Sequence, residues 1–411
     1  MSFQQGLSGL NAASKSLEVI GNNVSNSSTV GFKASQAQFA DVYATSLSGG
    51  GASQVGIGTK LSKVQQQFSQ GNITASNNAL DIAINGAGFF RMDNNGAVTY
   101  GRNGQFELDK AGYIVNATGA NLTGYSANAA GVLSTGAPDK LQINTADLPP
   151  SVTKLVKEVV NLDSGLKAPA NSPFNPADPT TYNNATSISV FDSLGNSHVM
   201  QSFFVKTGSG AWDVYGVADD KVLTTPPGGR IASLAFGPDG ALTQASKDAM
   251  PFSVTIPATA TGAADIVTRM DYTGSTQYGS AFIVNALSQD GYTSGRLTGF
   301  NTGADGVITG RYSNGKSSTL GQVVLANFTN VNGLQPLGNN VWAETTGSGV
   351  PLVGTPSSGT FGTLQASAVE DSNVDLTAEL VNMITAQRVY QANAQTVKTQ
   401  DQVMQTLVNL R

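Results

Sequence analysis

The chain contains no cysteine, so a disulfide framework is unavailable to it, which is consistent with an extracellular setting and leaves a cytosolic one open. Charge is scarce too: Asp, Glu, Lys and Arg make up 12% of the 411 residues, about half the usual share. Recognition by long-range electrostatic steering is therefore disfavoured. The net charge of -5 leaves no basic stripe to neutralise phosphates, which argues against nucleic acid as a partner. No apolar run approaches the roughly 20 residues needed to cross a bilayer, so no membrane insertion is expected. The N-terminus also lacks a basic segment followed by an apolar core, so export would have to read an uncleaved N-terminus.

The only histidine is His198. It lies beside a turn between two strand-like runs and reads as a surface or packing residue, not as the centre of a Ser-His-Asp triad. Asp93-Asn94-Asn95-Gly96 lacks the further acids and terminal Glu of a calcium loop and reads as a β-turn. Gly86-Ala87-Gly88 is followed by strand signals, not by a helix, so it is no dinucleotide fingerprint. No catalytic set, metal site or cofactor is expected.

What the sequence does contain is a pair of helical seams at its ends. Apolar residues fall at Phe3, Leu7, Leu10, Leu17 and Val24 near the start. Near the end they fall at Leu376, Leu380, Met383, Tyr390, Val397, Met404 and Val408. Steps of four and three mark a helix that packs lengthwise on another. The first helix spans residues 2 to about 24 and is expected to stop near Gly21, within a polar run. Such a segment is marginal alone, so it is expected to order on assembly. The second helix starts at a capping box formed by Ser372 and Asp375, and runs for roughly 36 residues, or about 54 Å.

Between the seams the chain is rich in Gly, Ser, Thr and Asn, and strand signals dominate from Ile73. Asn85-Gly86 and Asn94-Asn95-Gly96 are hairpin signals, as is the Asp109–Gly112 run. Residues 27–70, with Phe39, Tyr43 and Gly49-Gly50-Gly51, read as an irregular connector with some extended structure. The clearest buried strand is Gln322–Phe328, and Gly347–Gly362 reads as a flexible connector. The expected fold class is mainly β, multidomain, with coiled-coil helical termini bracketing nested discontinuous β domains. Residues 1–30 with 368–411 form a terminal helical domain, and 31–70 with 345–367 a connector. Residues 71–144 with 285–344 form a first β domain, into which 145–284 is inserted.

The run Ile20-Gly21-Asn22-Asn23-Val24-Ser25-Asn26, followed by Gly31-Phe32-Lys33, resembles the N-terminal signature of the bacterial flagellar rod and hook protein family. Asn373-Val374-Asp375-Leu376 and the run Met383–Asn393, which holds Gln387 and Arg388, are similar to the matching C-terminal signature. Leu80–Phe90 and Tyr100–Phe106 resemble the first β domain of the same family. Two positions depart from the family pattern, Ser25 in place of Ala and Gly101 in place of Thr.

The resemblance implies an axial subunit that polymerises with copies of itself into a helical tube, its terminal helices lining a channel. The long 145–284 insert points to a hook member, whose flexible tube acts as a universal joint, and not to a shorter distal rod member. Implied partners are the rod, a hook cap, hook-filament junction proteins and the type III export apparatus, with an extracellular location in the flagellum. The competing classes are a secreted β-rich adhesin, which leaves the paired helices unexplained, and a polysaccharide hydrolase, for which no acid lies in a distinctive motif.

Overall fold

The computed structural model describes residues 2–42, 56–224, 227–257 and 262–409. Tyr43 and Gly49–Gly51 lie outside these residues. The chain divides into two units. One comprises 1–145, 299–311 and 317–411, the other 146–298 with 312–316.

In the first unit the N-terminal helix, Ser2–Ser25, packs along the C-terminal helix, Leu376–Asn409. The N-terminal helix runs through Gly21 without a break. A Cβ at Gly21 would meet nothing within 4 Å, and the helix ends only after Ser25, whose hydroxyl donates back to the Gly21 carbonyl at 2.8 Å. The helix thus ends within a residue of the expected 24, in the polar run and not at Gly21 itself, because glycine costs a helix only about 1 kcal/mol. Ser372 is not the cap of the C-terminal helix. Asp375 is: its Oδ1 accepts from the Thr377 and Ala378 amides at 2.9 and 3.1 Å. Asp375 thereby satisfies two of the orphan amides of the first turn.

The expected irregular connector is ordered where described. Ser35–Val42 and Gly58–Gln66 pair antiparallel as a separate two-stranded hairpin, with a register shift between Gln38 and Phe39. It leans on the N-terminal helix, where the Gln5 amide donates to the Gly56 carbonyl at 2.6 Å. Beyond it lies an antiparallel sheet with the strand order 317–323, 121–126, 89–94, 97–101, 341–343, 335–338. The Asn95-Gly96 turn joins paired strands with φ of 52° and 92°, as both residues of such a tight turn require. Asn85-Gly86 does not close a hairpin. Ile82–Asn85 pairs instead with Thr363–Ala366, from the other end of the chain. The Gln322–Phe328 run is buried but divides at Val324 into two strands, and the Gly347–Gly362 stretch contains a strand at Leu352–Gly354.

An aromatic cluster fills the space between the sheet and the end of the hairpin. Trp342 lies 5.8 Å from Phe89 and 5.5 Å from Phe68, in edge-to-face geometry. Its indole N–H donates to Gln66 Oε1 at 2.6 Å. At Gly101, one of the two family departures, a Cβ would lie 2.7 Å from the Met92 terminal methyl, so the glycine and the methionine share one space.

The second unit holds two five-stranded sheets around one apolar core. Leu155–Asp163 is central in the first, parallel to Ile266–Asp271 and Thr276–Tyr278 and antiparallel to Ile283–Gln289. Ser197–Gly208 and Ala211–Ala218 lie inside the second. Val156, Val160, Phe204, Trp212, Val254 and Met270 are all fully or almost fully buried between them.

Candidate assembly interface

The terminal helices run antiparallel. Gly6 faces Val397, Gly9 faces Asn393, and Asn23 reaches Glu379. The first half of the N-terminal helix turns small residues to its partner. Gly6, Ala13 and Ile20 are buried at a strict spacing of seven, and Asn23 follows. A Cβ at Gly9 would lie 2.6 Å from Asn393 Oδ1, so glycine sets how closely the helices approach. On the C-terminal helix the corresponding buried residue is Ala386.

Apart from Val397, the larger apolar residues of the sequence-derived seam are not at this contact. They sit one residue along, which on a helix is a rotation of about 100°. Phe3 and Leu7 are 50% and 45% exposed, and Leu10, Leu17 and Val24 are half-buried. On the C-terminal helix Met383 and Val397 are half-buried, while Leu376, Leu380, Tyr390, Met404 and Val408 are exposed. Val381, Ile384, Val389 and Val403 add to that exposed apolar surface. The helix register puts Ser2 near residue 400, so the turns carrying Val403, Met404 and Val408 run past the N-terminal helix.

The family-motif residues fasten the roots of both helices. Asn23 clamps the hairpin: its Oδ1 accepts from the Ser35 amide and its Nδ2 donates to the Ser35 carbonyl, each at 2.8 Å. Asn373 does the same from the other end, accepting from the Ala34 amide at 2.7 Å and donating to the Gln67 carbonyl at 2.8 Å. Phe32 is buried, and Gly31 has a φ of 71° with its amide on the Glu370 carbonyl at 2.7 Å. A Cβ at Gly31 would lie 2.6 Å from the Asn103 amide nitrogen, so both conformation and space demand glycine. Asn22 holds only Asn26, at the helix end, and Gln387 and Arg388 are exposed.

At the centre of these roots lies an ionic cluster that periodicity did not single out. The Glu370 side chain is fully buried and receives Lys33 Nζ at 2.6 Å, Arg102 Nη1 at 3.1 Å and the Gly71 amide at 2.9 Å. Lys33 Nζ also donates to the Ser69 carbonyl, and Arg102 Nη2 to the Gly86 carbonyl, at 2.8 and 2.7 Å. The Arg102 guanidinium lies 5.4 Å above the Phe89 ring. Burial pulls the Lys33 amine below its ordinary range and Glu370 pulls it back in part; the Arg102 guanidinium is shifted the same way by the same causes. One carboxylate thus ties the segment after the first helix, the residue that follows the strand Ala97–Gly101, and the strand before the last helix.

Four family models match in chain order. They describe the flagella basal body rod protein over 3–33 and the flagellar hook protein FlgE/F/G D1 domain over 83–159. The FlaE D2 domain of the flagellar basal body protein follows over 161–292, and the flagellar basal body rod FlgEFG C-terminal region over 365–410. The chain is 43% identical over 422 residues to the flagellar hook protein FlgE of Salmonella typhimurium, covering 100% of both. It is 43% identical over 415 residues to that of Escherichia coli, again covering 100% of both. To that of Rhizobium meliloti it is 32% identical, covering 100% of this chain and 98% of the relative. A crystal structure of Helicobacter pylori flagellar hook protein FlgE2 shares the fold with a TM-score of 0.52 at 14% identity, over 72% of this chain and 100% of the other.

Proposed function

The chain belongs to the flagellar hook protein family as a structural subunit, and we propose that its copies build a flexible tube that carries motor torque from rod to filament. The observation that supports this reading is the division of labour on the terminal helices. Small residues satisfy the contact within the chain, leaving a large apolar stripe open at Phe3, Leu7, Leu376, Leu380, Tyr390, Met404 and Val408. Exposed apolar surface of that extent on a soluble subunit marks an interaction site. A head-to-tail contact that does not close on itself yields an open helical filament.

In this reading residues 1–30 with 368–411 form the inner wall, and the connector and the first β domain lie outside it. The 145–284 insert is outermost. The inner helices give continuity, while the weakly charged outer surfaces slide against one another as the tube bends. Export through the type III apparatus, growth under a hook cap, and contacts with rod and junction proteins complete the proposal. The role is structural, with no reaction catalysed.

Replacing Leu7 and Leu380 by Ser tests the stripe. Both are exposed in the lone chain, so folding by circular dichroism should be unchanged, while tubes seen by electron microscopy should disappear or need at least about tenfold more protein, since losing two buried leucines costs a few kcal/mol. Normal tube formation by this variant would refute the stripe as the assembly surface. The chain has no native thiol, so cysteines engineered into the insert report cleanly on sliding. Oxidised tubes should straighten and stiffen; tubes that bend as before would refute sliding outer contacts.

A further inference from the structure

The only imidazole in the chain sits between two carboxylates. His198 Nδ1 lies 2.6 Å from Asp219 Oδ2, and Nε2 lies 3.3 Å from Asp192 Oδ2. The side chain is 7% exposed. A neutral imidazole has one N–H and one bare lone pair, whereas an ionised carboxylate only accepts. Whichever tautomer is chosen, a neutral ring turns its lone pair toward one of the two acids. Only the doubly protonated ring donates to both.

Both acids are already committed. Asp192 lies in the turn between the strands Asn184–Phe191 and Ser197–Gly208, and its Oδ1 accepts from the Leu194 and Asn196 amides at 2.9 and 2.8 Å. Burial alone would raise this carboxyl, but hydrogen bonds from Asn196, His198 and Leu194 hold it far below the ordinary range, so it stays ionised. Asp219 lies in the next turn, between Ala211–Ala218 and Lys221–Val222, and its Oδ1 accepts from the Val199 amide at 3.1 Å. Asp219 and Asp220 both have positive φ, 45° and 63°, which side-chain-bearing residues adopt sparingly. Asp220 and Lys221 of that turn form no hydrogen bond or ion pair with the ring.

We propose that Asp192, His198 and Asp219 form a proton-dependent clasp, which holds the 219–220 turn against the first strand pair and releases it when the ring loses its proton. Burial works against the charged ring, yet the two acids outweigh it and raise the ring above its ordinary 6.5. The sign follows: the clasp is fully present below 6.5 and is lost as pH rises through the folded-state value.

A single histidine makes the test direct. In the nitrogen-15-labelled full chain, proton–nitrogen correlation of the ring at pH 5.5 should show both nitrogens protonated, with a titration midpoint above 6.5. Asp219→Asn should lower the midpoint and speed exchange of the Val199 amide by about tenfold as the turn opens locally, with Asp219→Glu restoring both. A midpoint at or below 6.5, or one unmoved in Asp219→Asn, would overturn the clasp. Should Asp219→Asn not fold, the wild-type ring decides by itself.

Discussion

Glu370→Gln removes one negative charge and little volume from the ionic cluster at the roots of the helices. It leaves two buried cations, Lys33 and Arg102, facing each other across a neutral amide. Removing one partner of a buried ion pair costs about 3–5 kcal/mol, because the remaining charge stays desolvated. Lys33 moderates the loss, since an amine can shed its proton and a guanidinium cannot. Burial already pulls the Lys33 amine below 10.5. A base whose folded-state value is lowered costs stability at low pH, and stability rises with pH until the unfolded-state value near 10.5 is reached. The variant should therefore lose about 3 kcal/mol at pH 7 and recover part of it by pH 10. Urea unfolding followed by Trp342 fluorescence, in a Trp212→Phe background, confines the reading to the unit that contains the cluster. Replacing Lys33, Arg102 and Glu370 together by apolar residues should restore most of the loss. A loss below about 1 kcal/mol, or one unchanged between pH 7 and 10, would mean that the cluster is not the fastening described.

Three other perturbations have defined outcomes. Burial pushes the Glu158 carboxyl up to about 7, against a hydrogen bond from Ser202 at 2.9 Å. An acid raised from 4.5 costs stability as pH climbs from 4.5 to 7, by roughly 3 kcal/mol on the 1.4 kcal/mol-per-unit scale. Glu158→Gln should abolish that slope in urea midpoints measured from pH 4.5 to 8. Gly31→Ala meets both a positive φ and the Asn103 amide, so a loss above about 2 kcal/mol is expected in thermal unfolding, and a change within 0.5 kcal/mol would contradict the close approach. Asp375→Ala should cost about 1 kcal/mol and speed amide exchange at Thr377 and Ala378, with Asp375→Asn recovering most of it.

Periodicity located both terminal helices, and turn chemistry located the hairpins at Asn95-Gly96 and Asp109–Gly112. These signals are local. The 4-3 step counts positions on one helix, and an Asn-Gly pair prefers its turn wherever the chain lies. The same locality explains the misses. Asn85-Gly86 has the composition of a hairpin turn, but the strand before it pairs with residues nearly 300 positions away. Ser372 has the form of a cap, but Asp375 is the residue whose oxygen reaches the free amides. Apolar size marked Leu7 and Leu10 as an assembly seam and said nothing of the contact within the chain, where close approach favours Gly6, Gly9 and Ala13. The seven-residue spacing of Gly6, Ala13 and Ile20 is visible in the sequence, and small residues at that spacing are the signal to read for a tight helix pair.

The order of elements, the helical nature of both ends and the β character between them follow from residue pattern, because each depends on neighbours within a few turns or one strand. Which face of the N-terminal helix meets its partner, and that Glu370 joins Lys33 across 337 positions and Arg102 across 268, were decided by the folded chain. Burial, desolvation and charge pairing there are properties of a place in space. No spacing along the chain encodes them, and so the face closed within the chain could be told from the open one only in the folded structure.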